Sequence, residues 1–107
     1  MKKEKRPFTP YYAVIFISIR RDKDEAYLKT ADRMAELAKE HPGYLGYESA
    51  REEIGITISY WKDLDSIHNW KENVEHKIAR KMGREKWYDS FQVRICKVER
   101  EYSFTRS

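Results

Sequence analysis

Cysteine, glycine and proline are scarce in this 107-residue chain, and each scarcity removes a class of protein. A lone Cys96 can form no intrachain disulfide, so a disulfide-stapled secreted scaffold is excluded. The four glycines (Gly43, Gly46, Gly55 and Gly83) are scattered and build no phosphate-cradling loop. Three histidines and one cysteine fall at no zinc-like spacing, so no metal is expected. Long hydrophobic runs are also missing. The longest, Tyr11 to Ile17, is far too short to span a bilayer, and no membrane partner is expected. The basic start has no apolar stretch before Pro7, so no signal peptide is expected and the default compartment is the cytoplasm. Nor does one sign of charge dominate. The 22 Lys and Arg against 18 Asp and Glu leave +4, and the signs alternate, as in Arg21-Asp22-Lys23-Asp24-Glu25. Only Met1 to Arg6 is a basic run. A solvated, mixed-charge surface is expected, not a nucleic-acid interface.

What the chain does have is aromatic weight, 14% of residues, enough to give a heavily charged chain a core. Its length allows one domain. Residues 1–10, closed by Pro7 and Pro10, read as a flexible basic tail, and residues 11–107 as the domain. Tyr11 to Arg20 is an apolar, β-branched strand with large residues on both parities. Asp22 or Asp24 can cap a helix whose buried stripe is Tyr27, Ala31, Met34, Leu37 and Ala38, stopped by Pro42-Gly43. Tyr44 to Arg51 and Gly55 to Trp61 form a hairpin about a polar turn. Asp63 or Asp65 can cap a second helix carrying Leu64, Ile67, Trp70, Val74 and Ile78, which ends or kinks at Gly83. A last strand from about Phe91 to Phe104 changes apolar parity between Ile95 and Val98, which predicts a bulge or a switch of buried face there.

The order is βαββαβ, an α+β ferredoxin-like fold with an antiparallel sheet. Helices cover one face of such a sheet. Val14 and Phe16 on one parity of the first strand, against Ile15 and Ile17 on the other, require a cover for both. A second copy packed sheet to sheet supplies it, which predicts a homodimer. RNA-recognition modules share this element order, but Ile54-Gly55-Ile56-Thr57-Ile58-Ser59-Tyr60 lacks their basic residue and all but one of their aromatics, so no nucleic-acid partner is expected.

Four stretches resemble the antibiotic biosynthesis monooxygenase family, in order and spacing, over roughly residues 11–104. They are Pro42-Gly43-Tyr44-Leu45-Gly46-Tyr47-Glu48-Ser49, then Ser59-Tyr60-Trp61-Lys62-Asp63-Leu64-Asp65-Ser66-Ile67, then Trp70-Lys71 with His76, and finally Trp87-Tyr88 with Cys96 to Tyr102. The resemblance implies a dimeric α+β barrel with a pocket between helices and sheet in each subunit. Members of that family oxygenate phenolic or other small aromatic substrates without metal or flavin, bind and degrade haem, or have no assigned activity, so the resemblance implies one of these. The haem-degrading branch resembles this chain at Trp70. Its strand Asn is absent from Tyr11 to Arg20, and Arg80 stands where its His belongs, so that mechanism is not expected.

Cofactor-free oxygenation needs a dry pocket, a proton acceptor and donors for an oxyanion. The expected catalytic residues are His76 as base and Arg80 as oxyanion holder. Trp61, Trp70, Asn73 and Glu48 are the expected substrate-binding residues, and no cofactor is expected. Each has a plainer reading. Trp61 and Trp70 suit the core, and Glu48 with Arg51 suits a surface charge pair. His76 lies nine residues after Ile67, about 180° away on a continuous helix, and faces inward only if the helix breaks near Asn73. The alternative function is a non-catalytic dimer that binds a small molecule, haem included, on the same fold.

Overall fold

The computed structural model describes residues 8–21 and 25–106. The basic run Met1 to Arg6 and the capping choice between Asp22 and Asp24 lie outside the described residues. The elements are β1 (Tyr11–Arg20), α1 (Glu25–Lys39), β2 (Tyr44–Arg51), β3 (Ile54–Trp61), α2 (Leu64–Glu72), α3 (Val74–Met82) and β4 (Tyr88–Val98). A π-helical turn, Gly83–Trp87, joins α3 to β4. The expected α+β ferredoxin-like order holds, with the second helix in two pieces. The sheet is antiparallel throughout, in the order β2-β3-β1-β4.

Strand parity separates two faces. Tyr12 lies opposite Trp61, Val14 opposite Ser59 and Phe16 opposite Thr57, and this face carries the helices. Its core is Trp61, Ile67 and Ala38, with Tyr12, Val14, Tyr44 and Trp70 packed around it. Along α1, Tyr27, Met34 and Leu37 are partly buried and Ala38 is buried, while Ala31 is exposed in the single chain. The other face carries Ile15, Ile17, Ile19, Ile54, Ile56 and Ile58, and among the described residues no helix covers it.

Asp63, not Asp65, caps α2. Its Oδ1 accepts from the Ser66 amide at 2.8 Å and from Ser66 Oγ at 2.6 Å. Gly43 permits that start. A Cβ there would sit 1.8 Å from Ser66 Oγ, so only glycine lets the hairpin pass so close to α2. The α-helix ends at Met82 with Gly83 at its C-cap, as expected, and the αR backbone of Gly83 carries the chain on into the π-helical turn.

The last strand differs from expectation at both ends. It starts at Tyr88 and stops at Val98, because β1 supplies partners only between Tyr11 and Arg20. Pro10 precedes β1 and has no N–H to extend the ladder, and Glu99 to Arg106 leaves the sheet without regular structure. Of the two alternatives expected between Ile95 and Val98, the bulge is absent. The ladder is regular there and irregular at Ile19/Arg20, where Asp89 is skipped.

Candidate active site

Asn73 stands between α2 and α3 with φ −57° and ψ 129°, outside the helical region. One non-helical residue is enough to redirect the chain. The Asn73 side chain then caps α3, its Oδ1 accepting from the His76 amide at 3.1 Å. On a continuous helix His76 would face away from Ile67. After the break it lies flat on Trp70, with ring centroids 4.4 Å apart and planes inclined by 13°. Its Nδ1 is 3.1 Å from the Trp70 carbonyl oxygen. A carbonyl only accepts, so Nδ1 carries the proton and Nε2 keeps the lone pair. Burial holds the His76 pKa below the ordinary imidazole value. The bond to the Trp70 carbonyl opposes that shift, and the Arg80 charge adds to it. The ring is therefore a neutral base with a fixed tautomer.

Arg80 follows one turn later and is half-buried. Its Nε and Nη1 are buried with no hydrogen-bond partner, so two donors of a fixed cation lie unused beside the imidazole. Trp70 is partly exposed and stacks on Trp61 at 6.1 Å. Trp61 itself is 0% exposed, and its Nε1 donates to Ser59 Oγ at 2.9 Å. It backs Trp70 and offers a ligand no surface. Asn73 acts on the backbone that carries His76.

Glu48 is not brought to this group. It lies opposite Ile58 on the uncovered sheet face, where it accepts from Tyr60 Oη at 2.6 Å. The bond pushes the Tyr60 phenol up to about 12. Nor does Glu48 pair with Arg51. Residues three apart on a strand point to opposite faces, and Arg51 lies on the helix side, hydrogen-bonded to Ser18. An open cleft of about 270 Å³ separates α1 from α3, walled by Met34, Ile78, Met82 and Trp87 and rimmed by the Arg33–Glu75 ion pair. Neither His76 nor Arg80 lines it.

A polar group absent from the sequence expectations sits at the far end of the helix side. Arg51, the buried Ser18, Tyr88 and Tyr27 meet there, with Arg20 over the Tyr27 ring at 3.8 Å. One signal for it was available: Ser18 interrupts the apolar run of β1 on the parity that faces the helices, and Gly55 lies opposite. Among the described residues, no cluster of three or more His, Cys, Asp or Glu could hold a metal ion, and no helix is long and apolar enough to cross a membrane.

Residues 10–82 match the family model described as antibiotic biosynthesis monooxygenase. The uncharacterised Bacillus subtilis (strain 168) protein YqjZ is 48% identical over 102 residues, covering 94% of this chain and 90% of that one. SnoaB from Streptomyces nogalater, a cofactor-independent oxygenase, superposes with a TM-score of 0.71 at 12% identity, over 88% of this chain and 97% of its own. Rv0793 from Mycobacterium tuberculosis gives a TM-score of 0.74 at 15% identity, over 88% of this chain and 99% of its own. At such identities the two structures establish the shared fold.

Proposed function

This chain belongs to the antibiotic biosynthesis monooxygenase family, and on that premise we propose that it is a cofactor-independent monooxygenase of a small phenolic substrate that works as a homodimer. The observation that carries the reading is the inward pair His76 and Arg80. It joins a neutral base of fixed tautomer to a half-buried cation, beside the partly exposed ring of Trp70. Nε2 of His76 takes the phenolic proton, and Arg80 holds the oxyanion that results. Trp70 stacks on the ring. The phenolate is itself the reductant. It gives up electrons to dioxygen, and a ring carbon bonds to one oxygen atom as a hydroperoxide. Loss of the terminal oxygen as water, with the hydrogen on that carbon, leaves a quinone. Phenol and dioxygen thus become quinone and water, one oxygen atom in each product.

The dimer is supported by the uncovered face. Six isoleucines lie on it, and Ile19, Ile54 and Ile56 are 44%, 54% and 42% exposed. A second copy laid sheet to sheet covers these side chains.

An oxygen electrode with 1-naphthol under ¹⁸O₂ tests the activity. One dioxygen is expected per substrate, with one labelled atom in the quinone, and a loss of about 100-fold in His76→Ala. No uptake above that of heat-denatured protein, or uptake unchanged in both His76→Ala and Arg80→Gln, refutes the assignment. A second reading, a dimer that binds a small molecule without turning it over, draws on the α1/α3 cleft, which lies apart from His76 and Arg80. Saturable naphthol binding without oxygen uptake would favour it.

A further inference from the structure

Arg51 ends β2 with its guanidinium laid over Gly55. A Cβ on Gly55 would meet Arg51 Nη2 at 2.0 Å, so the glycine makes room for the side chain on the helix side of the sheet. There Nη2 donates to Ser18 Oγ, the hydroxyl of a residue only 1% exposed. That is one of five N–H donors. Among the described residues no carboxylate lies within ion-pairing distance of Arg51. None of its nitrogens is both buried and without a hydrogen-bond partner.

Aromatic rings stand beside this cation. Phe16 and Phe91 stack at 5.5 Å with planes at 23°, and Tyr88 meets Phe16 edge-on at 5.4 Å. Phe91 is 36% exposed, so the wall is open on one side. The Tyr88 hydroxyl reaches only Tyr27 Oη, at a long 3.4 Å. Burial pushes the Tyr88 phenol well above its ordinary value, which keeps its proton in place as a donor. A half-buried guanidinium without a counter-ion, a phenol donor and an open aromatic wall are complementary to a flat anion. A guanidinium presents two parallel N–H groups that match the two oxygens of a carboxylate.

We propose that Arg51 and Tyr88 form a recognition site for the carboxylate of an aromatic acid, whose ring rests against Phe16 and Phe91. The site is separate from the His76–Arg80 pair. Ser18 and Val14 are four residues apart on β1, roughly 13 Å, and Val14 belongs to the Trp61 side of the core. It stands whether or not the chain is an oxygenase, because binding is measured without turnover.

Calorimetry on the full chain with 2-naphthoate, its neutral isostere 2-naphthamide, and acetate tests it. Naphthoate is expected to bind at least tenfold more tightly than either comparison compound, since charge-assisted pairing and the ring contact are both required. Arg51→Gln is expected to abolish the preference for naphthoate over naphthamide while leaving naphthamide binding in place, which also reports that the variant is folded. Tyr88→Phe keeps the rings and is expected to weaken naphthoate several-fold. Equal affinity of the wild type for naphthoate and naphthamide overturns the proposal, and so does naphthoate binding unchanged in Arg51→Gln. Either result would assign Arg51 to the Ser18 contact alone.

Discussion

At the scale of the residue, His76 combines a lowered pKa with a half-buried ring, and the sign of its effect on stability follows. Its folded value lies below 6.5, so between that value and 6.5 the unfolded chain binds more protons than the folded one. Stability from this group is complete above 6.5 and is lost as pH falls through the folded value. Urea midpoints measured on either side of 6.5 should show a decline in acid that is smaller in His76→Gln. If His76 is the base, the acid limb of kcat/KM should lie below 6.5 as well. Trp61 makes a different prediction. It is sealed behind Trp70, His41 and Tyr44, and Trp61→Ala should cost about 3–5 kcal/mol by chemical denaturation. A loss under 1 kcal/mol would show that the site collapses around the gap, contrary to the close ring packing.

At the scale of the element, the decisive feature is a helix interrupted by one residue. Asn73→Ala removes the acceptor that holds the His76 amide and should cost about 1 kcal/mol. It should also return the His76 pKa, followed by NMR, toward 6.5, as α2 and α3 fuse and the ring turns outward. Asn73→Asp keeps an acceptor and should preserve both properties. An unchanged His76 titration in Asn73→Ala would mean that packing alone sets the angle. This break was legible in part. Asn is a capping residue, and its position decided whether His76 faced in or out, but periodicity alone could not say which. The parity of β2 was legible in its numbering. Glu48 and Arg51 differ by three positions and had to lie on opposite faces, yet their opposite charges suggested a pair, a reading the geometry rules out. The end of β4 was not legible in its own residues. Val98 is the last strand residue because β1 has no partner beyond Tyr11, a fact of another element. The π-helical turn was hidden because Gly83, a common helix terminator, adopts an ordinary αR backbone here.

At the scale of the molecule, the face bearing six isoleucines makes the proposed dimer testable without structure. Sedimentation of the wild type should give twice the 13.0 kDa chain mass at micromolar concentration, and Ile56→Lys should give a monomer or a destabilised chain. Cys96 reports independently. It faces the same side as Ala13, near the start of β1, and is exposed in the single chain. A thiol reagent should therefore label it slowly in the wild type and rapidly in the Ile56→Lys variant, while Cys96→Ser keeps the fold. The strand order has a consequence for synthesis. β1 is made first and lies between β3 and β4, and β4 is the last strand made. Until residue 98 has left the ribosome, one edge of β1 has no partner and the sheet that seats α1, α2 and α3 is incomplete. Closing it joins residues 68 to 87 positions apart, from Arg20 with Tyr88 to Tyr11 with Val98, the kind of contact that slows folding. A nascent chain stalled short of β4 would thus hold an open strand edge next to a row of isoleucines, the state in which neighbouring chains on a polysome could pair wrongly.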